Sequence, residues 1–512
     1  MLKSEIEIFL ERHGPCLTTE LTAHLTRNGN VSPSAARQRV KRMPESIKRL
    51  AFLPFPRNAR FVYLKKDYGS PLFWHNLIAA FNNTNSIYGA ALGAISARNG
   101  IVPEPHFAIV CGAPTRQKKH VSADVVLERL LQASLLERRH VEGLGPCIIL
   151  PQNGEITDIS ALDVRSRLLG EDLILSAVAA WARNNGFVSY GRVQARSFDK
   201  APDVGTTVWD LVGPCYLHAV QPKVLKEGKK RPAFLAVDVL NKRVGVHDVT
   251  AFVRKCETVR QLSRVTCIQM FVSAGYTKDA RELLKSKGII AATTKSLFGR
   301  DFQTALTELQ TFFRQIIVSS SIDIEKLDHL LSRFRDIEGA SQQIRGTLFE
   351  FIAEKIAAYE FRSSTIHLNR VFSDPDSVKK RAEADLTIEG GRTLFFIECK
   401  GTAPYGLVPH EQFRKWIQEQ VATIYAATRK RPEWANREIT FEFWATAPLG
   451  AESQALYDQM LEELNTNRYK LRVRLGAELA QICEDMGDES VITAFNKHFV
   501  DRGRSVEGPF SG

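Results

Sequence analysis

Three residues in the last third of the chain are of types and at spacings that can do chemistry: Asp385, then Glu398 and Lys400. Between them lie Gly390-Gly391, a tight-turn pair, and the apolar run Phe395-Phe396-Ile397, so the segment predicts a β-hairpin with Asp385 and Glu398 on adjacent strands. Strand alternation puts Glu398 and Lys400 on one face and sends Cys399 to the other, toward the core. A Glu and a Lys ending a strand buried on both sides are costly unless they pair or bind a metal. Two carboxylates converging at a sheet end can hold a hard divalent cation, Mg2+ or Mn2+, leaving water and substrate phosphate to complete its shell. The neighbouring ammonium can orient or help deprotonate an attacking water and offset charge on a scissile phosphate. The chemistry this predicts is metal-assisted phosphodiester hydrolysis.

Plainer readings compete at each position. Asp385 could cap a turn, and Glu398 with Lys400 could be an exposed pair on an edge strand, although the apolar run before Glu398 argues against it. Asp374-Pro375-Asp376 lies in a polar stretch and reads as a turn. His410 reads as a helix-start or surface residue rather than a phosphate ligand. Gln418 or Gln420, on the next helix, are candidates to position substrate.

Asp385 followed by Glu398-Cys399-Lys400 resembles the D…(D/E)-x-K motif of the PD-(D/E)XK, or restriction-endonuclease-like, nuclease superfamily. Upstream, Arg345-Gly346-Thr347-Leu348-Phe349-Glu350 is similar to the helix that often brings a further acidic residue to that centre, which nominates Glu350. The resemblance spans about residues 325 to 450 and implies catalysis by Asp385, Glu398, Lys400 and Glu350, with metal held by Asp385 and Glu398. The middle of the chain resembles the Mrr-like branch of the same superfamily, through Val246 to Lys255, Phe271 to Ala280 and Lys287-Gly288-Ile289. There the E-x-K position reads Asp238-Val239-Leu240, so the lysine is replaced by an apolar residue, although Asp210 could still be a first acid. A degenerate nuclease fold used for DNA contact or dimerisation is expected.

The elements that must position these residues follow from periodicity. Helices are expected over 4–13, from Thr18 and from Ser32-Pro33-Ser34, followed by two short strands across Phe52 to Tyr63 around a basic tip. That order resembles a winged helix-turn-helix, with Arg37, Arg39, Lys41 and Arg42 on the third helix and Arg57 and Arg60 at the tip as nucleic-acid contacts. Residues 1–66 hold thirteen Lys/Arg against five Asp/Glu, a large share of a net charge of +12, and this favours a polyanionic partner. A second winged-helix-like unit is expected over 69–155, with helices at Leu72 to Phe81, Ile87 to Asn99 and Ala123 to Ser134, a strand at His106 to Cys111 and a basic loop at Arg116 to His120. From residue 160 strands and helices alternate: helix Leu173 to Asn185, strands Phe187 to Gln194, Thr207 to Val212 and Ala233 to Val239, with a second basic loop whose Lys229, Lys230 and Arg231 are further expected nucleic-acid contacts. After a helical linker the same order returns, with strands at 365–369, 384–388, 393–400 and 439–445 and a helix over Glu411 to Thr428.

The fold class expected is therefore multidomain α/β: winged helix-turn-helix units over 1–68 and 69–155, nuclease-like α/β domains over 160–298 and 325–512, and a helical linker at 299–324. Hydrophobic residues at 44% and charged residues at 25% are ordinary globular composition and argue against disorder. Eight scattered cysteines with no CxxC pair suit a reducing cytoplasm, and neither a signal peptide nor an 18-residue apolar run is present, so a cytoplasmic, nucleoid-associated protein without membrane contact is expected. Duplex DNA is the expected partner. A homodimer would supply two centres for two strands. With no Walker-type loop, ATP use would need a separate ATPase or defence-system partner. Bacterial restriction, phage defence or a mobile element is the setting the resemblance implies. A non-catalytic DNA-binding regulator or scaffold and an RNA nuclease are the alternatives.

Overall fold

The computed structural model describes residues 4–28, 31–151, 158–189, 191–197, 200–215, 217, 233–262, 265–319, 321–335, 337, 339–374, 377–464 and 468–500. Packing divides the chain into two compact units. The first comprises Met1–Arg139, Cys147–Glu155 and Ala182–Thr293, the second His140–Pro146, Ile156–Trp181 and Thr294–Gly512.

The first unit opens with α1 (Glu5–His13), β1 (Cys16–Leu17), α2 (Thr18–Asn28), α3 (Pro33–Lys41), β2 (Ile47–Arg49) and β3 (Phe61–Leu64), its strands ordered β1-β3-β2. Ser4 and Glu7 start α1 with a reciprocal capping box, and Ser32 caps α3 ahead of Pro33, whose missing N–H costs nothing at a helix start. The strand preceding β3 lies at Ile47–Arg49 and not at Phe52 to Phe55 as the pattern suggests. Phe52 sits at φ +65°, and Pro54 and Pro56 offer no N–H to a ladder, so the run crosses as a loop that buries Leu53 and Phe55.

Next come α4 (Pro71–Asn83), α5 (Ile87–Ser96), β4 (Ile101–Pro103), α6 (Phe107–Val110), α7 (Ala123–Gln132), β5 (Glu137–Val141) and β6 (Gly145–Ile149), the strands ordered β4-β6-β5. The strand expected over His106 to Cys111 is the helical turn α6. A short apolar run has no period to distinguish the two states, and a 3-10 turn at Glu104–His106, built on Pro105, directs it into helix.

After α8 (Asp158–Asn184) follow β7 (Gln194–Ala195), β8 (Asp203–Val204), β9 (Thr207–Val208), β10 (Leu211–Cys215), β11 (Ala233–Val244), α9 (Val246–Arg260), β12 (Cys267–Tyr276), α10 (Lys278–Ser286) and β13 (Ile290–Thr293). The sheet runs β7-β10-β11-β12-β13, antiparallel up to β11 and parallel beyond it. Among the described residues, the strand expected over Phe187 to Gln194 is reduced to the start of β7 and a bridge at Val188, with Gly191 breaking the run.

The rest of the second unit holds α11 (Thr294–Ser319), α12 (Ile324–Arg333), α13 (Ala340–Glu360), β14 (Thr365–Asp374), β15 (Ser377–Glu389), β16 (Thr393–Lys400), α14 (His410–Lys415), α15 (Val421–Arg429), β17 (Glu438–Ala445), α16 (Ala451–Glu463), β18 (Lys470–Arg474), α17 (Gly476–Met486) and α18 (Glu489–His498). A π-turn at Trp416–Gln420 makes α14 and α15 one continuous rod. The sheet runs β14-β15-β16-β17-β18, again antiparallel up to the third strand and parallel beyond. The two five-stranded sheets thus share strand polarity and helix placement: α9 or α14–α15 between the third and fourth strands, α10 or α16 between the fourth and fifth. Phe396, Phe441, Phe443 and Trp416 fill the core beneath α14–α15. Asp374 ends β14, while Pro375 and Asp376 lie outside the described residues. The architecture is α/β with several mixed sheets, and no described helix is long and apolar enough to cross a membrane.

Candidate functional site

β15 and β16 pair from Glu389↔Leu394 to Leu386↔Ile397, where the ladder ends. One step further in the same register Asp385 stands opposite Glu398. The Asp385 carboxylate enters this fork, its Oδ2 accepting the Cys399 N–H at 2.6 Å. On the other flank, Asn369 of β14 adopts φ +50°, a left-handed conformation that Asn tolerates better than most residues, between the pairs Leu368↔Leu386 and Arg370↔Ala384. Both neighbours of β15 are therefore irregular at Asp385. Around it lies a cavity of ≈ 10 Å³, room for about one water, lined by Arg165, Glu350, Glu354, Asn369, Asp385 and Cys399.

Each side chain arrives by a separate route. Lys400 Nζ donates to Glu398 Oε1 at 2.6 Å. Glu350 and Glu354 sit one turn apart on α13, and Arg165 of α8 approaches Glu350 at 3.4 Å. Cys399 is buried as expected, but it lines the same cavity as Asp385 because the strands part there. Asp385, Glu398, Lys400 and Glu350 are thus brought together. Glu354, Glu383, Asn369 and Arg165 join them and were not singled out. Glu383, two residues before Asp385 on a strand, and Glu354, four after Glu350 on a helix, carry a usable spacing signal. Arg165 carries none, since 185 residues separate it from Glu350.

Five carboxylates face two cations here, and the protonation equilibria show it. Burial, then the charge of Asp385, pushes Glu398 up to about 7 against the pull of Lys400. Burial and Asp385 likewise push Glu350 up to about 7, opposed by Arg165. Glu383 is driven well above the usual carboxylate range by burial, then by Asp385, Glu398 and Glu350. Glu354 is raised by burial. Burial works against the charge of Lys400, but Glu398 and Asp385 outweigh it and raise its pKa. Lys400 so held donates charge and hydrogen bonds and does not accept a proton. His410 instead meets Ser453 at 3.1 Å, and exposed Gln418 accepts from Arg414 at 3.4 Å.

The first unit repeats the fork and closes it. Leu211↔Val237 ends that ladder, so Asp210 stands opposite Asp238, and Asp210 Oδ2 accepts the Val239 N–H at 2.8 Å. Arg196 binds the other oxygen of Asp210 at 2.8 Å. Asp238 accepts the Asp210 N–H at 3.3 Å and pairs with Lys255 of α9. That ammonium, fully buried, also donates to Ile109 O at 3.0 Å and Val208 O at 2.9 Å and lies 4.3 Å from the Trp209 ring centroid. Burial would raise Asp210, but Arg196 and the Val239 N–H leave it lowered. Asp238 is pushed up to about 6 by burial despite Lys255. Leu240, at the position of Lys400, is buried.

A third feature is a groove of ≈ 650 Å³ between α2, α3 and the turn before β3, lined by Arg27, Arg37, Lys41, Arg49, Arg57 and Arg60, with Thr18, Thr22 and Thr26 along α2 and no acidic residue. Arg57 and Asn58, at φ +57° and +55°, hold the turn tip. Of the expected contacts, Arg37, Lys41, Arg57 and Arg60 line this groove. Arg39 pairs instead with Glu5 at 3.2 Å, Arg42 does not line it, and Lys229, Lys230 and Arg231 lie outside the described residues. Arg27 and Arg49 line the groove as well, the latter fixed on the Val40 and Lys41 carbonyls at 3.0 and 2.9 Å.

Asp385 and Glu398 each keep one oxygen with no hydrogen-bond partner among the described residues, and their mutual repulsion is incompletely offset. No group of three or more His, Cys, Asp or Glu among the described residues is arranged to hold a metal. Two carboxylates with one open oxygen each are nevertheless donors of the type that a hard cation such as Mg2+ takes, water and substrate completing its shell.

No family model matches the chain, and no curated protein matches it. Among solved structures it is similar to restriction endonuclease FokI, at 10% identity over 91% of this chain and 83% of that one, with a TM-score of 0.20. FokI bound to DNA gives 10% identity, coverage of 93% and 84%, and a TM-score of 0.18. A likeness this weak carries no argument about mechanism.

Proposed function

We propose that the chain is a divalent-metal-dependent endonuclease that hydrolyses phosphodiester bonds of DNA at the β15–β16 fork. The observation that carries this reading is Asp385 opposite Glu398 at the end of a ladder, with Lys400 bound to Glu398 and Glu350 brought alongside. Asp385 and Glu398 would hold Mg2+ or Mn2+, which when bound would supply Lewis acidity toward the phosphate and an activated water. Lys400, kept charged, stabilises negative charge on the phosphate. Glu350, with a pKa near neutrality, is suited to accept the proton of the attacking water.

The finer assignments rest on topology and charge. The order α1-β1-α2-α3-β2-β3 with strands β1-β3-β2 supports a winged helix-turn-helix, and its basic groove suits a phosphate backbone. The β4-β6-β5 sheet supports a second such unit. The shared strand polarity of the two larger sheets supports a restriction-endonuclease-like fold in each, with the Asp210–Asp238 copy kept as a fold and not as an active centre. A homodimer would supply two centres for a double-strand cut, in a cytoplasmic, nucleoid-associated setting such as restriction or phage defence.

The test is cleavage of supercoiled plasmid with Mg2+ or Mn2+, wild type beside Asp385→Ala, with DNA binding measured for both. Nicking lost in the variant while binding persists supports the reading. Intact plasmid in every lane despite tight binding would leave a DNA-binding scaffold, and RNA cleaved in place of DNA would change the substrate.

A further inference from the structure

The carboxylates at the fork are not wholly without internal compensation. Arg165 is mostly buried, reaches across from α8, and sets its guanidinium 3.4 Å from Glu350 and over the Phe351 ring at 5.2 Å. It lines the cavity with Glu350, Glu354, Asn369 and Asp385, and it lowers the proton affinity of both glutamates. Lys400, the other cation, is committed to Glu398 at 2.6 Å. The closed fork of the first unit indicates what such a cation can do: there Arg196 and Lys255 occupy the carboxylates directly.

We propose that Arg165 is a placeholder cation, neutralising Glu350 in the metal-free protein and competing with an entering divalent ion for the carboxylate cluster, so that it sets the ion concentration at which the site fills. This rests on the metal-binding reading of the site. The long 3.4 Å contact makes Arg165 displaceable, unlike Arg196 at 2.8 Å on a fully buried Asp210. A partly exposed ion pair of this kind holds its partner only weakly, so removing it should tighten ion binding by about three- to tenfold.

The experiment titrates Mn2+ into the full chain at pH 7.5 without nucleic acid, comparing wild type, Arg165→Met, Arg165→Lys, Glu350→Gln and the double variant. Arg165→Met keeps an apolar stem over Phe351, and circular dichroism confirms folding. The expected result is tighter Mn2+ binding in Arg165→Met, binding close to wild type in Arg165→Lys, and no gain when Arg165→Met is added to Glu350→Gln. Unchanged or weaker binding in Arg165→Met overturns the proposal, as does an equal gain in the Glu350→Gln background. If wild type binds no Mn2+ but Arg165→Met does, the placeholder role stands. If neither binds, it falls. Plasmid cleavage, scored separately, speaks to the nuclease reading alone, so the two failures are distinguishable.

Discussion

The two forks differ in where the positive charge comes from. In both, the ladder ends one pair short of two opposed acids, and the first acid accepts the N–H of the residue after the second. In the second unit the cation is Lys400, two residues along the same strand, which leaves one oxygen of each acid open. In the first, Leu240 fills that position, and Lys255 from α9 and Arg196 from before β10 close over the acids. The same backbone device thus yields a sealed ion network in one sheet and a charge-deficient site in the other. Backbone alone does not decide whether the acids are sealed; the origin of the cation does.

That contrast is broken most severely by exchanging the roles of the lysines. Lys400→Ala is expected to lower plasmid hydrolysis by about 10²–10³-fold while the chain stays folded, because its charge is needed most when the phosphate gains charge. Lys255→Met is expected to leave hydrolysis per folded molecule unchanged but to destabilise the first unit by about 3–5 kcal/mol, since Asp238 is left buried without its counter-ion. Cleavage assays beside urea unfolding measure both. A Lys255→Met variant that unfolds like wild type and loses hydrolysis would reverse the assignment of the two forks.

Much of the second fork was legible in the sequence, and the reason is locality. Asp385, Gly390-Gly391 and Glu398 to Lys400 belong to one hairpin, whose register follows from turn length and alternation. Glu350 was found through a motif on its helix. Arg165 was illegible because nothing local links α8 to α13. Lys255 was illegible for a related reason: a lysine within an amphipathic helix reads as a surface residue, yet α9 lays it against Asp238, two carbonyls and an indole ring. Short elements misled where apolar runs lacked a period, as at Phe107–Val110, or where prolines vetoed a ladder, as at Pro54 and Pro56.

A smaller effect sharpens the contrast through pH. Glu398, one of the two proposed metal ligands, is pushed up to about 7, and a carboxylate must lose its proton to bind a metal. Lowering pH from 8 to 6 should therefore weaken Mn2+ binding by about tenfold as Glu398 protonates. Mn2+ titrations at pH 6, 7 and 8 measure this. Asp238, pushed up to about 6, lies in the sealed fork, so Asp238→Asn should leave that profile unmoved. A pH-independent affinity would remove Glu398 from the metal site.

The smallest effect concerns stability. Glu350 has a folded pKa above its unfolded one, so the folded chain binds more protons there than the unfolded chain does. Its favourable contribution is complete below the ordinary carboxylate pKa and is lost as pH rises through about 7. At pH 8 the ionised side chain is a cost that Glu350→Gln removes, while at pH 5 little remains to remove. Because the side chain is 37% exposed and already faces Arg165, solvent screening reduces the gain to about 1 kcal/mol. That corresponds to a rise in melting temperature of about 2–4 °C at pH 8, vanishing toward pH 5. The matching change at the sealed fork, Asp210→Asn, should have the opposite sign: Asp210 is held below its usual range, so removing its charge destabilises at neutral pH, and the loss shrinks on acidification. Thermal melts of both variants at pH 5 and pH 8 decide whether the forks differ as their charges say, and melting shifts of the same sign in both would refute the distinction between an open and a sealed site.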